Sequence, residues 1–398
     1  MSRTLVLSRI YPPQIGGSGR WMHELYRRLP NLQPLVIAAR CEGDKEYDRQ
    51  NVDVLEVKRA NLDLPSWGVT NPLNLLSYLS TAKEIAEIIQ GKTISQIHAA
   101  CCLPEGLLAW YFAKRLGVPY YTYVHGEELN VAASSRELSW LARRVFHGAR
   151  SAVANSHNTA SLLAKGWLPV NERPQVLTPG VDTEYFHPAG QDDRIRDELG
   201  WTDRRVILTV GRLQKRKGHD MMLRALPAIQ REVPNVLYAI AGEGDERHNL
   251  QQLASDLSVN RLVRFHDALE ADLLLAANQQ CDLFILPNRE VEGDIEGFGI
   301  VLLEAQACGK PVIAGGSGGT CETLVDGVTG CIVDANSPEN LAACVLKLLK
   351  QADKLQGMGQ AARDWTVSNF DWRELKAQAQ SMFAGRLQEA CVNEATTC

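Results

Sequence analysis

Residues 282–319, DLFILPNREVEGDIEGFGIVLLEAQACGKPVIAGGSGG, restrict the fold of this chain more than any other stretch. The apolar run Leu283–Leu286 predicts a buried strand, and the apolar run Ile300–Ala307 after a polar loop predicts a helix. A second buried strand is predicted at Pro311–Ala314. Strand, helix and strand in this order predict a βαβ crossover, and such units bind ligands at the carboxyl ends of their strands.

The polar loop of this crossover has the features of a phosphate site. The N–H groups of Gly299, Ile300 and Val301 lie at the start of the predicted helix, where the helix dipole attracts an anion. Glu296 precedes the helix and Glu304 lies about one turn inside it. Carboxylates in these places can accept hydrogen bonds from the vicinal hydroxyls of a sugar or ribose. For an isolated E-x7-E pattern, a capping glutamate and a solvated glutamate are the commoner explanation.

Length and composition exclude several classes of protein. A chain of 398 residues is long enough for two domains, and 45% hydrophobic with 22% charged residues is typical of globular proteins. The net charge of -5 gives no basic footprint for nucleic acid. Ten cysteines without C-x-x-C spacing predict buried thiols in a reducing compartment rather than a zinc site. Since the sequence shows neither a signal peptide nor a run of about 18 apolar residues, we expect a cytoplasmic protein.

Short apolar runs alternate with helical patterns along the whole chain. Strands are predicted at Thr4–Ser8 and Val54–Val57 in the first half, and the second half begins with the strand Arg205–Val210. Repeated alternation predicts an α/β protein whose parallel sheets are covered by helices on both faces. Because the segment LTPGVDTEYFHP marks the crossing between the halves, we expect one domain over residues 1–184 and another over residues 185–371.

Two loops of the first half have the composition of ligand sites. Gly16 and Gly17 lie in a glycine-rich turn after the first strand, where doubly wound sheets bind phosphates, although a plain turn explains these glycines equally well. His125 follows the predicted strand Tyr120–Val124, and a side chain at that position points into the crevice of a parallel sheet. From spacing alone, a structural histidine is the commoner explanation.

Two basic residues near the ends of the loop after the first strand of the second half are candidate phosphate ligands. Arg212 comes directly after this strand and Lys217 precedes the next helix. Together they would neutralise a diphosphate, because arginine binds it bidentately and lysine acts as a point charge. A solvated basic loop accounts for the same two residues. Gly242 follows the next predicted strand, Leu237–Ala241, and opens another glycine loop at the edge of the sheet.

These segments resemble, in order and over nearly the whole chain, the retaining glycosyltransferases of family 4. The similarity lies in the E-x7-E run, in the GRL-x-x-x-KG run after the first strand of the second half, and in the HG pair at His125. Members of that family have the GT-B fold, in which two Rossmann-like, doubly wound domains face each other across a cleft. The resemblance also implies that the last helix, residues 372–390, packs back on the first domain.

The resemblance gives each candidate residue a role. It implies that Glu296 and His125 lie at the donor sugar and that Glu304 binds the ribose. It also implies that Arg212 and Lys217 bind the diphosphate, so that Glu296, His125, Arg212 and Lys217 form the predicted catalytic set. The donor-binding residues, besides Arg212, Lys217 and Glu304, are predicted to be Gly16, Gly17, Gly242, Phe298, Gly299, Ile300 and Val301.

The implied reaction moves a sugar from a nucleotide diphosphate sugar to a hydroxyl group of a glycan, a lipid-linked acceptor or a small molecule, with retention of the anomeric configuration. Since the two cations make a metal unnecessary, neither a metal nor another cofactor is expected. The run VEGDIEGFGIVLLEAQACGKPV also resembles the phosphatidylinositol mannosyltransferase branch, which favours GDP-mannose over UDP-sugars as the donor.

Two other enzyme classes share parts of this pattern. A nucleotide-sugar epimerase of the GT-B fold is one alternative, and the arginine–lysine pair together with the E-x7-E run argues against it. A dinucleotide-binding oxidoreductase is the other alternative. It would show G-x-G-x-x-G with a downstream acidic residue, which neither half of the sequence contains.

The helix predicted at residues 136–150 is basic and amphipathic, with four arginines beside an apolar stripe. Such a helix can lie on an anionic membrane, which would make the protein peripheral to the inner face of that membrane. An ordinary surface helix, with its apolar stripe packed on the sheet, accounts for the same sequence.

Overall fold

The structure, a computed structural model, describes residues 2–14, 16–169 and 173–384. These residues form two compact units. The first unit comprises the chain up to Pro179 together with the segment that begins at Arg373, and the second unit is Gly180–Trp372. Each unit is built on one parallel sheet with helices, which confirms the predicted α/β class. Residues 385–390 of the predicted last helix lie outside the described residues.

Both sheets are doubly wound. The first has the strand order β3-β2-β1-β4-β5-β6-β7 and the second has the order β10-β9-β8-β11-β12-β13. The strands of the first unit are β1 Arg3–Ser8, β2 Pro34–Ala39, β3 Glu56–Ala60, β4 Ile94–Ala99, β5 Tyr120–Val124, β6 Ser151–Ala154 and β7 Gln175–Val176. The strands of the second unit are β8 Arg205–Val210, β9 Val236–Ala241, β10 Val263–His266, β11 Leu283–Leu286, β12 Val312–Gly315 and β13 Gly330–Val333.

Helices follow most of the strands, as a parallel sheet requires. Those of the first unit are α1 Gly17–Tyr26, α2 Asp44–Gln50, α3 Pro72–Ile89, α4 Glu105–Leu116, α5 Glu127–Ala133, α6 Arg136–Gly148 and α7 His157–Ala164. Those that follow are α8 Asp193–Glu198, α9 His219–Glu232, α10 Arg247–Asp256, α11 Ala271–Gln280, α12 Ile300–Ala307, α13 Pro338–Leu349, α14 Ala352–Phe370 and α15 Trp372–Phe383. Among the described residues, none of these helices combines the length and apolarity needed to cross a bilayer.

The central strands are apolar on both faces because helices cover both sides of each sheet. Every residue of β11 is buried, and so is every residue of β12. The strand predicted at Pro311–Ala314 lies one residue further on, at β12. The strand predicted at Val54–Val57 is displaced more, because β3 begins at Glu56, which pairs with Leu35 of β2. The apolar residues at the start of the prediction lie outside the ladder, and Val54 is exposed.

The strand order fixes where a ligand site can form. In the first sheet the order reverses between β1 and β4, and in the second sheet it reverses between β8 and β11. The loops that leave neighbouring strands in opposite directions open a crevice at such a point. In the second unit, the loop after β8 contains the GRL-x-x-x-KG run, and the loop after β11 contains Glu296, the first residue of the E-x7-E run.

Candidate functional site

In the second unit, the loops after β8 and β11 are in direct contact. Gly218 has a φ of 73°, and a Cβ atom at this position would lie 1.8 Å from the carbonyl oxygen of Pro287. Only glycine combines this positive φ with such a close approach of two backbones. The contact brings the basic residues after β8 next to the acidic residues after β11.

Two cations meet one carboxylate there. Arg216 Nη1 donates a hydrogen bond of 2.5 Å to Glu296 Oε2. Lys217 Nζ lies 2.6 Å from the same oxygen. Arg216 also lies 3.1 Å, through Nε, from Oδ2 of Asp294. The structure therefore brings Lys217 and Glu296 into contact with each other and adds Arg216, which is not among the predicted site residues.

These cations decide the charge of Glu296. Burial by itself would raise the pKa of this carboxyl group, but Lys217 and Arg216 outweigh burial and hold the pKa below its ordinary value. Glu296 is only 9% exposed, and Arg216 and Lys217 are equally well buried. Glu296 is consequently an ionised carboxylate at neutral pH, able to accept hydrogen bonds from hydroxyl groups.

Further hydrogen bonds fix the backbone around this cluster. Arg289, in the loop after β11, donates its backbone N–H to the carbonyl oxygen of Arg216 at 2.8 Å. Its guanidinium binds both carboxylate oxygens of Asp220, at 2.8 and 2.9 Å. The carbonyl oxygen of Glu296 accepts a hydrogen bond of 2.9 Å from Gly319 N–H. The acidic and basic loops are thus held together by main-chain and side-chain contacts.

The amino terminus of α12 adjoins this cluster in the sequence. Among the described residues, none accepts a hydrogen bond from the N–H groups of Gly299, Ile300 or Val301, which is the arrangement that attracts an anion. Glu304, one turn further on, is 1% exposed. The Phe298 ring is buried beside the ring of Phe370, with 5.9 Å between their centroids, so this side chain contacts protein.

Among the described residues, neither Arg212 nor Gly242 makes a hydrogen bond or ion pair with the Glu296 carboxylate. Arg212 is exposed, and its side chain makes no ion pair with any residue that the structure describes. Gly242 has a φ of 143°, and a Cβ atom there would lie 2.1 Å from the carbonyl oxygen of Gly211. Packing of one loop on the next is therefore enough to require glycine at position 242.

In the first unit, His125 is fixed from several directions. Its Nε2 lies 2.7 Å from the carbonyl oxygen of Ala100, which can only accept, so Nε2 carries the proton in this contact. Its backbone N–H donates to Glu128 Oε1 at 2.7 Å, and its carbonyl oxygen accepts from Asn155 Nδ2 at 3.1 Å. The Trp21 ring meets the imidazole edge-on at 5.5 Å between centroids. His125 is therefore preorganised at the end of β5.

The two glycines that precede and begin α1 differ from each other. A Cβ atom at Gly16 would lie 2.8 Å from Ile10 Cγ2, whereas none of the described atoms lies within 4 Å of a Cβ atom at Gly17. Packing within the first unit explains glycine at position 16 but does not explain it at position 17. A turn that binds phosphate remains the prediction for Gly17.

Comparison with known proteins decides the family. The model of "Glycosyltransferase Family 4" matches residues 15–185, and the model of "Glycosyl transferases group 1" matches residues 191–365. A GDP-mannose-dependent alpha-(1-6)-phosphatidylinositol monomannoside mannosyltransferase of Mycolicibacterium smegmatis is 33% identical over 96% of this chain and 98% of its own length. The chain belongs to the group 1, family 4 glycosyltransferases. A mannosyltransferase of the same name from Mycobacterium tuberculosis is 31% identical to this glycosyltransferase, over 97% of this chain and 99% of the length of the relative.

Solved structures agree on the fold. The crystal structure of HepE from Anabaena in complex with UDP and glucose covers 96% of this glycosyltransferase and 100% of its own chain, with a TM-score of 0.82 and 20% identity. This likeness confirms the predicted GT-B fold, with two Rossmann-like domains. The prediction of a hexosyltransferase that uses a nucleotide sugar is confirmed as well, and neither the epimerase nor the oxidoreductase finds support.

Proposed function

We propose that this glycosyltransferase transfers mannose from GDP-mannose to a hydroxyl group of a phosphatidylinositol-based glycolipid, with retention of configuration and without a metal ion. The donor and acceptor are those that the names of the similar mycobacterial enzymes give, and these enzymes align with nearly the whole chain. The main support in this molecule is the buried Glu296 carboxylate, which two cations hold ionised in the segment that leads to α12.

In this proposal the second unit binds the donor. Lys217 and Arg212 neutralise the diphosphate, whose negative charge increases as the sugar leaves, and the N–H groups of Gly299–Val301 add to this stabilisation. Glu296 accepts hydrogen bonds from sugar hydroxyls and Glu304 from the ribose. In the first unit, His125 and the Gly16–Gly17 turn have the donor-binding roles that the family resemblance gives them, and Gly242 and Phe298 complete the set.

The proposal of a metal-independent reaction is supported by the ion pairs of the acidic loop. Asp294 and Glu296 are the carboxylates that a metal would require there, and both already lie against Arg216. For retention, we propose that the acceptor hydroxyl attacks from the face of the leaving group and passes its proton to a phosphate oxygen of the donor.

A donor survey tests this proposal. The purified protein is incubated with GDP-mannose, UDP-glucose, UDP-galactose or UDP-GlcNAc, with and without phosphatidylinositol mannoside, and nucleotide release is followed. We expect GDP release that depends on the glycolipid and is unchanged by EDTA, and a product whose anomeric proton shows the α configuration by NMR. If nucleotide is released from a UDP-sugar and not from GDP-mannose, the donor assignment is wrong. A product of inverted configuration would contradict retention, and loss of activity in EDTA would contradict metal independence.

Single substitutions test the residues. Glu296→Ala, Arg212→Ala and Lys217→Ala should each lower kcat/KM by about 100-fold, since each removes a contact that strengthens in the transition state. Lys215→Ala is the matched control, because Lys215 is an exposed lysine of the same loop. The assignments are wrong if the three variants turn over at the rate of the Lys215 variant.

We further propose that the protein associates peripherally with an anionic membrane, where such an acceptor would reside. The support for this proposal comes from exposed apolar side chains and not from the apolar stripe of α6. The apolar stripe of α6 is buried in its own unit, but Trp140 of α6 is 62% exposed, and α3 exposes a row of leucines that includes Leu73 at 72% and Leu76 at 60%. Exposed apolar side chains near basic ones are typical of surfaces that bind anionic lipid.

A further inference from the structure

We propose that Arg216 is a positioning residue, which keeps the Glu296 carboxylate oriented toward the donor sugar while Lys217 is engaged by the diphosphate. This inference rests on the proposed function, because it takes Glu296 as the group that binds the sugar. Arg216 occupies an unspecified position of the GRL-x-x-x-KG run, and its part in the site follows from tertiary contacts alone.

The first observation is that one carboxylate oxygen serves two cations. Glu296 Oε2 lies 2.5 Å from Arg216 Nη1 and 2.6 Å from Lys217 Nζ. The proposed function requires Lys217 at the diphosphate, and an ammonium group on a flexible stem can turn from one acceptor to another. When it does so, Glu296 loses one of its two cations. Arg216 then remains as the group that compensates the buried charge.

The second observation is that Arg216 is held in place by its surroundings. It is 6% exposed, and its Nη2 donates to Gln214 Oε1 at 3.2 Å while its Nε lies 3.1 Å from Asp294 Oδ2. Its carbonyl oxygen accepts the N–H group of Arg289 at 2.8 Å. A planar guanidinium fixed at several atoms orients a carboxylate, because it offers donors in a rigid arrangement.

Removal of Arg216 would leave the buried Glu296 carboxylate with one cation fewer. A buried carboxylate that loses a partner is destabilised as an anion, so its pKa rises and its orientation is no longer defined. The charged groups that face Glu296 are Arg216 and Lys217 from the loop after β8, and Asp294 of its own loop faces Arg216. Without Arg216, Lys217 would be the one cation of the described residues left within ion-pair distance of Glu296, and the donor diphosphate competes for it.

The test compares turnover with nucleotide affinity in the full-length protein. Arg216→Met should lower kcat/KM for the nucleotide sugar by about 100-fold, as loss of Glu296 does, and should leave the Kd for GDP within about twofold of the wild type. Lys217→Met should weaken GDP binding by about tenfold or more, because it removes a contact to the diphosphate itself. Arg216→Lys should restore part of the lost turnover.

Two further measurements separate a positioning role from a purely structural one. In the Glu296→Gln background, Arg216→Met should lower kcat/KM by no more than about threefold further, because both residues act through one interaction. In the Arg216→Met variant, the acid limb of the pH profile of kcat/KM should move to higher pH. The control is Arg205→Met, which removes an arginine–aspartate pair of 2.8 Å at the start of β8.

The outcomes that overturn the inference are distinct from failure of the proposed function. A wild-type protein that turns over none of the nucleotide sugars refutes the proposed function. An active wild type together with an Arg216→Met variant of wild-type rate refutes the positioning role alone. If Arg216→Met lowers GDP affinity and kcat/KM in parallel, Arg216 is a phosphate ligand. If it lowers kcat/KM as much in the Glu296→Gln background as in the wild type, Arg216 acts independently of Glu296. Thermal midpoints of all variants show whether the protein remains folded.

Discussion

Two buried glutamates of this glycosyltransferase have opposite electrostatic environments. Glu296 lies against Lys217 and Arg216, and its pKa is lowered in spite of burial. Glu105, at the start of α4, is 2% exposed and accepts the backbone N–H of Arg9 at 2.7 Å. Burial dominates there, and it raises the pKa of Glu105 to about 7. In Glu296 the two cations thus offset the burial that dominates at Glu105.

The raised pKa of Glu105 predicts a pH-dependent cost to stability. Folding favours the protonated form of Glu105. The stabilisation that this gives to the folded state is fully present below the ordinary pKa of 4.5 and is lost progressively as the pH rises to about 7. At about 1.4 kcal/mol per pH unit, the loss amounts to about 3 kcal/mol. Glu105→Gln keeps an acceptor for Arg9 and cannot ionise, so we expect it to be more stable than the wild type at about pH 8 and nearly equal to it at about pH 4.

Chemical unfolding of both proteins over this pH range measures the difference. The control is Glu127→Gln, which changes an exposed glutamate of α5 in the same unit and should leave the pH dependence as it is in the wild type. Parallel stability curves of the Glu105→Gln variant and the wild type would show that Glu105 ionises in the folded state as readily as in the unfolded one.

At the scale of elements, apolar runs with clear ends were predictable from the sequence. The bounds of β5, β8, β11 and α12 are those that the apolar runs predict. Helix α5 was missed because its seven residues, EELNVAA, are too few to show a helical period. Strand β3 was displaced because pairing with β2, and not the apolar run itself, selects its residues.

The candidate site was predictable only in part, for a related reason. Lys217 and Glu296 stand out in motifs, whereas Arg216 looks like one more basic residue of the KRK run. Its partner Glu296 is 80 positions away in the chain, and the contact forms because the order of strands puts β8 beside β11. Local patterns contain no information on such a pairing, so the buried ion pair becomes visible only in the fold.

The surface formed by α3 and α6 permits a test of membrane association. Glu137 ties α6 to the segment just before α3, because its carboxylate accepts the N–H groups of Val69 and Thr70. We expect the protein to co-sediment with anionic liposomes at low salt. Replacement of Leu73, Leu76 and Leu79 by serine should reduce the bound fraction severalfold, since each leucine gains about 1.5 kcal/mol or more when fully buried in an apolar phase.

Salt and a matched variant separate the two contributions to this binding. High salt should weaken the association of the wild type, because the arginines of α6 are exposed and their attraction to lipid is screened. Val328→Ser changes an exposed apolar residue of the second unit, at 54% exposure, and should bind as the wild type does. Absence of binding to anionic vesicles at low salt would refute the membrane proposal and leave the donor assignment untouched.

At the scale of the whole molecule, the first unit is built from both ends of the described chain. Helix α15 contributes Phe383, whose ring lies 4.4 Å from that of His98 and 5.3 Å from that of Tyr121, centroid to centroid. Phe383 is 5% exposed, and Gln378 of the same helix donates to the carbonyl oxygen of Val176 at 2.9 Å. The core of the first unit is therefore completed by a helix that lies far along the chain from the strands it covers.

This arrangement predicts that Phe383→Ala destabilises the first unit alone. Truncation of a buried phenylalanine costs about 3 to 5 kcal/mol, so native-state hydrogen exchange should show the amides of β4 and β5 losing protection by that amount while those of β8 and β9 keep theirs. Phe370→Ala is the matched control, because Phe370 is as well buried in the second unit and should give the reverse pattern. Equal loss of protection in both sheets after either substitution would mean that the two units unfold together and that α15 does not belong to one of them energetically.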